Sequence, residues 1–188
     1  MMNKLAIVVL SGCVAVILMA LFQKNSNFLD IHSIFVDHIS VLKRSPLQFC
    51  AIMVIPLVIA LIGAIYHPLT IDIINNLNIV LSILISMFFA VLSILVSLTR
   101  KKGSEDRQLT PEERNYNTLL DETFNSVVFE CTLCILLLVI SFVQLFFDMF
   151  VPSLLLTIAS TVVYYLSVVI ALNIFVVIKR IKVLFEEA

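Results

Sequence analysis

Charged residues are confined to a few short segments of the chain, and this confinement constrains the fold more than any other feature. Of the 12 basic and 13 acidic residues, all but four lie in residues 23–47, 99–126 and 179–188. The stretches between them lack the charged outer face that a helix or strand of a water-soluble protein needs. Apolar residues make up 61% of the chain, against a usual share of about 45–50%. We therefore expect an integral membrane protein.

Five apolar segments approach or exceed the length of about 20 residues that a helix needs to cross a bilayer. Their hydrophobicity is unbroken, whereas the strands of a membrane barrel alternate between apolar and polar residues. The sequence predicts an all-α integral membrane protein, a small transmembrane helical bundle of four or five spans. The number depends on whether the first and shortest segment crosses. The predicted spans are residues 5–22, 49–66, 77–98, 127–147 and 151–178.

The distribution of Lys and Arg predicts the orientation of the bundle. If residues 99–126 and 179–188 face the cytoplasm together with residues 23–47, that side holds every Lys and Arg except Lys4. Basic residues concentrate on the cytoplasmic side of membrane proteins, so we expect a cytoplasmic C-terminus. Polar residues recur every three or four positions in residues 23–47, which predicts an amphipathic helix lying on membrane lipids.

Small residues follow one face of the third predicted span at helical spacing. Such a face allows close approach between membrane helices, through van der Waals packing and weak hydroxyl hydrogen bonds. We expect it to mediate helix packing and the formation of a homo-oligomer. A pore lined by the same hydroxyl groups is the alternative. The face comprises Ser82, Ser86, Ala90, Ser93 and Ser97.

The fourth predicted span contains polar residues that an apolar helix does not need. Glu130 and Gln144 share one side with Cys134 and Ser141. An ionised carboxylate is costly inside a membrane unless it is paired or faces a cavity. We expect Glu130 to pair with Arg100, Lys101 or Lys182 at the interface, with a proton relay as the alternative.

Cys131 and Cys134 have the CxxC spacing of thiol oxidoreductases. Membrane thiol oxidases, however, place their cysteines in loops on the oxidising side, and this pair lies near the reducing cytoplasm. We expect the two residues to act as small apolar side chains.

The segment before the fourth span predicts a long helix that extends beyond the membrane. Thr110 is a favourable N-cap residue and Pro111 is a favourable first residue of a helix. Glu113, at the third helical position, can complete the cap. No Gly or Pro follows until Pro152, so one helix of about 37 residues and about 55 Å is expected. We expect its extension and the C-terminal tail to dock a soluble cytoplasmic partner, through Tyr116, Leu119, Leu120, Phe124, Leu184 and Phe185.

The sequence contains none of the motifs that carry enzymatic chemistry. No phosphate-binding loop, nucleophile triad, zinc spacing or dinucleotide fingerprint is present. His32 and His38 are six residues apart, which places them on different faces of a helix. A net charge of −1 gives no basic surface for nucleic acid. We therefore expect a protein without enzymatic activity, cofactor or metal. A pore or small transport protein is the alternative, and a membrane thiol oxidoreductase is a weaker one.

The whole chain resembles the small membrane subunit of the bacterial Kiwa antiphage defence system. The resemblance lies in the total length, the multi-span plan, the inner loop of residues 100–126 and the tail of residues 179–188. It implies a sensor in the bacterial inner membrane that responds to phage attachment or injection. It also implies a soluble partner subunit that acts on phage DNA.

Overall fold

The computed structural model describes residues 50–102, 111–147 and 153–186, and these are helical apart from residues 67–70. A π-helical turn, Cys50–Val54, leads directly into helix α1, Ile55–Tyr66. Three long helices follow: α2 (Ile71–Lys102), α3 (Pro111–Phe147) and α4 (Ser153–Glu186). No strand occurs in these three ranges, which confirms the prediction of a helical protein.

Three helices are long and apolar enough to cross a membrane. Their candidate spans are Ile71–Leu98, Glu113–Gln144 and Leu156–Leu184. The π-helical turn and α1 together form a shorter apolar helix, Cys50–Tyr66, where the sequence predicts a span over residues 49–66. The predicted span 5–22 and the amphipathic segment 23–47 lie outside the described residues.

Large apolar side chains on the outside of these helices fit a lipid environment. Phe175 keeps 71% of its accessible surface, Ile65 keeps 66% and Ile79 keeps 61%. A water-soluble protein rarely leaves such extended apolar surface uncovered. The helices therefore have the surface of a membrane protein.

The helices pack in an order that differs from their order in the sequence. α3 lies between α2 and α4, and α4 also packs against α1. Although residues 67–70 join α1 to α2, these two helices are not a principal packing pair. α3 has the largest buried share of the three long helices, and it is therefore the centre of the described bundle.

Small side chains let α1 approach α4 closely. Ala60 and Ala64 are buried, and a Cβ atom at Gly63 would lie 3.6 Å from Cδ2 of Tyr164. The Tyr164 hydroxyl group donates a 3.0 Å hydrogen bond to the His67 carbonyl oxygen. This bond ties the link between α1 and α2 to α4.

Pro56 lies in the first turn of α1. A proline ring collides with the carbonyl group four residues earlier in a continuous α-helix. The wider π-helical turn Cys50–Val54 precedes it here, and it relieves this constraint. The chain thus accommodates Pro56 through a change of helix type, from π-helix to α-helix.

Candidate functional site

A buried row of side chains runs along α3 and combines apolar with polar residues. Its members alternate at steps of three and four residues, the spacing of a helix that packs along a heptad seam. Each keeps less than a tenth of its accessible surface. We call this row the α3 seam: Leu120, Thr123, Val127, Glu130, Cys134, Leu137, Ser141 and Gln144.

Glu130 is the only acidic residue of the α3 seam, and its side chain is fully buried. Neither carboxyl oxygen has a hydrogen-bond partner among the described residues. The amide group of Asn173 on α4 lies beside it, and the Nδ2 atom of Asn173 also lacks a partner. The predicted pairing with Lys182 is not seen, and the side chains of Arg100 and Lys101 lie outside the described part of the chain. Glu130 is therefore a buried carboxyl group whose described polar neighbour is a single amide.

A second contact between α3 and α4 lies eight residues from Glu130, about 12 Å along the helix. Nη1 of Arg180 is 3.5 Å from Oε2 of Glu122, and it donates a 3.1 Å hydrogen bond to the Glu122 carbonyl oxygen. This pair and the Glu130–Asn173 pair fix one antiparallel register. The same register brings Leu184 to the level of Leu120.

Two of the predicted docking residues are buried in the chain itself. Leu120 keeps 1% of its accessible surface and Leu184 keeps 2%, so neither offers the exposed surface that docking a partner needs. Their apolar side chains are covered because α4 continues beside the extension of α3. Tyr116, Leu119 and Phe124 are half-buried. The side chain of Phe185 lies outside the described part.

At the other end of α3, polar contacts involve α2. The Ser141 hydroxyl group donates a hydrogen bond to Oδ1 of Asn78. Gln144 is buried, and its Oε1 and Nε2 atoms have no partner among the described residues. Ser141 and Gln144 were identified from the sequence, but Asn78 was not. Its signal would have been an amide near the start of the apolar segment 77–98.

The cysteines of α3 are buried free thiols. Cys134 keeps none of its accessible surface and Cys131 keeps 5%, and neither forms a disulfide. Cys50 is also a free thiol, but it is exposed. In the described ranges, no three His, Cys, Asp or Glu side chains form a group that could hold a metal ion.

The small-residue face of α2 points away from the described helices. Ser82, Ser86, Ala90, Ser93 and Ser97 are all exposed. The hydroxyl groups of Ser82 and Ser86 donate to carbonyl oxygens of the same helix, at 2.8 and 2.9 Å. The face therefore packs against no described helix of its own chain, and it lines no channel within the described bundle.

Comparison with known proteins leaves the chain to be interpreted from its own geometry. No protein-family model, no curated protein and no solved structure matches it.

Proposed function

We propose that this protein is a non-enzymatic, multi-pass membrane subunit that anchors a soluble partner at the cytoplasmic face. The C-terminus is cytoplasmic in this proposal, as the distribution of basic residues predicts. Several copies assemble through the small-residue face of α2, so that weak contacts with the partner combine.

The observation that carries the proposal is the uninterrupted course of α3. It runs for 37 residues, from Pro111 to Phe147, which is about 55 Å long compared with a hydrocarbon core of about 30 Å. The contact between Arg180 and Glu122 ties its extension to the end of α4. A movement within the membrane would thus be carried to the extension by a rigid pair of helices.

The half-buried residues of the extension are the proposed contact surface. Tyr116, Leu119 and Phe124 keep apolar area that a partner would cover, as an amphipathic helix does when it lies in a groove. Leu120 and Leu184 serve instead to pack α3 against α4. The contact surface is therefore smaller than the sequence alone predicts.

The resemblance to the Kiwa membrane subunit supports a more specific role. In this role the protein lies in the bacterial inner membrane and senses perturbation of the envelope by phage. It then recruits a soluble partner that acts on DNA, while the membrane subunit itself binds no nucleic acid. The net charge of −1 supports this role, because it gives the membrane subunit no basic surface that would attract nucleic acid.

The test is whether a soluble protein co-purifies with this membrane protein from its native cells. The variant carries Leu119→Ser and Phe124→Ser, which remove apolar contact area without opening the interior of the bundle. We expect normal membrane insertion, loss of the bound partner and loss of protection against phage. The matched control carries Asn115→Ser and Asp121→Ser, two exposed positions on the same stretch of α3, and we expect it to retain the partner.

Retention of both the partner and phage protection by the Leu119 and Phe124 variant would contradict the anchoring role. The alternative is a pore-forming or transport protein, and the unpartnered polar atoms of Glu130 and Gln144 inside α3 are the observation in its favour. Ion flux across liposomes that contain the purified protein distinguishes the two. Flux above that of empty liposomes would favour the pore.

A further inference from the structure

The contact between Glu130 and Asn173 lies in the interior of the bundle, within two helices that can each cross the membrane. Glu130 is fully buried and Asn173 keeps 2% of its surface. Both carboxyl oxygens and Nδ2 of Asn173 lack hydrogen-bond partners among the described residues. Unpartnered polar groups at such depth are costly, so their presence requires a ligand or a chemical state that satisfies them.

The hydrogen-bonding capacities of the two groups identify that state. An ionised carboxylate only accepts hydrogen bonds, whereas a neutral carboxylic acid has one donor and an acceptor. The Asn amide also offers a donor and an acceptor. Two reciprocal hydrogen bonds between Glu130 and Asn173 can therefore form only when the carboxyl group holds a proton. We propose that Glu130 is a proton-binding site in the interior of the helical bundle, with Asn173 as the hydrogen-bonding partner of the protonated carboxyl group.

No charged side chain of the described helices packed against α3 hydrogen-bonds to Glu130. On α4, Tyr164 and Tyr165 lie more than two turns from Asn173, and Lys179, six residues beyond Asn173 and about 9 Å along the helix, is exposed. On α2, the hydrogen bond between Ser141 and Asn78 sets a register that places Phe89 at the level of Glu130.

The sequence of α2 has no titratable residue between Asp72 and Arg100. Arg100 is eleven residues beyond Phe89, about 16 Å along the helix. On α3 itself the nearest titratable groups are the thiols of Cys131 and Cys134. Glu122 is about 12 Å away, and Arg180 already contacts it. A bound proton is thus the simplest way to neutralise Glu130.

Two buried hydroxyl groups lie between this site and the Glu122–Arg180 contact. Thr123 and Ser126 are both buried and lie between Glu122 and Glu130 on α3. Their hydroxyl groups donate to the carbonyl oxygens of Leu119 and Glu122, at 2.7 and 2.8 Å. Their oxygens remain able to accept hydrogen bonds, so this end of the site is more polar than the apolar positions of the α3 seam.

Labelling with dicyclohexylcarbodiimide tests the proposal on the full-length protein in liposomes. This apolar reagent reacts with protonated carboxyl groups. The acid proton passes to a carbodiimide nitrogen while a carboxyl oxygen bonds to the central carbon, so the adduct adds one reagent molecule and nothing leaves. We expect peptide mass mapping to locate the adduct on Glu130. Raising the buffer pH should progressively abolish this labelling, because the reactive proton is then released.

Two variants and one change of salt complete the design. Glu130→Gln should lose the adduct, and Glu122→Gln, which alters the ion-paired carboxylate outside the site, should keep it. Mapping the adduct in the unaltered protein makes the result independent of whether Glu130→Gln folds. Absence of an adduct on Glu130 at mildly acidic pH would overturn the proposal. Protection by sodium chloride but not by choline chloride would overturn the assignment of the proton as the ligand of Glu130 in saline buffer, because sodium ions would then occupy the carboxylate.

Discussion

Arg180 contacts Glu122 twice, once through the carboxylate and once through the backbone carbonyl oxygen. The Arg180 side chain keeps 19% of its surface, and that of Glu122 keeps 44%. An ion pair this exposed stabilises little by itself, but the bond to the carbonyl group also fixes the axial position of α4 on α3. The contact therefore holds the two extensions in one register.

The first prediction is that Arg180→Ala loosens the extensions. Loss of the ion pair and of one hydrogen bond should lower the free energy of unfolding by about 1–2 kcal/mol. Thermal unfolding in detergent, followed by circular dichroism, measures the change. Lys179→Ala removes a neighbouring exposed side chain and serves as the control. Equal effects of the two substitutions would show that the Arg180 contact adds nothing.

The second prediction concerns the packing of α2 on α3. Ser141→Ala removes the hydroxyl group that donates to Oδ1 of Asn78. Hydrogen bonds between membrane helices contribute about 0.6 kcal/mol and at most about 1.7 kcal/mol, and we expect a loss in this range. Unfolding in mixed micelles of increasing sodium dodecyl sulfate measures it. Ser86→Ala, whose hydroxyl group bonds only within α2, should be neutral, and a neutral Ser141→Ala would contradict the prediction.

The length and course of α3 could be predicted from sequence because local signals determine them. Pro111 favours a first turn, and the next proline in the sequence is Pro152. The burial of Leu120 could not be predicted in the same way, because it depends on how far α4 continues beside α3. The sequence places Glu130 on a polar side of its helix, but its neighbour Asn173 depends on the antiparallel register. That register is set by contacts between residues far apart in the chain.

The third prediction is the topology. In a chain whose own cysteines are replaced, Asn75→Cys should react with a membrane-impermeant maleimide on intact cells. Gly103→Cys and Ala188→Cys should react only after the membrane is permeabilised, because basic residues keep their segments in the cytoplasm. Modification of Gly103→Cys on intact cells would reverse the orientation.

The fourth prediction is that Cys131 and Cys134 are dispensable for activity. Both are buried, so in detergent a maleimide should modify exposed Cys50 first and reach these two only after unfolding. The double variant Cys131→Ala, Cys134→Ala should cost on the order of 1 kcal/mol of stability and retain the bound partner. Complete loss of activity at normal expression would favour the thiol oxidoreductase instead.

The last prediction is that the small-residue face of α2 joins copies of the protein. Ser86 and Ala90 are exposed, so Ser86→Leu with Ala90→Leu should leave the fold of one chain intact. Between copies the larger side chains prevent close approach, and we expect self-association to weaken by about 1–3 kcal/mol.

Native mass spectrometry in detergent measures this change as a shift towards monomers. The control carries Val80→Leu and Val96→Leu, which add leucines on other exposed sides of the same helix. It should retain the oligomer, because these positions lie off the small-residue face. Packing of this face against the described helices of its own chain is already excluded by its exposure. An unchanged oligomer in the Ser86 and Ala90 variant would therefore mean that the face contacts lipid or residues of its own chain outside the described ranges, and that copies associate through another surface.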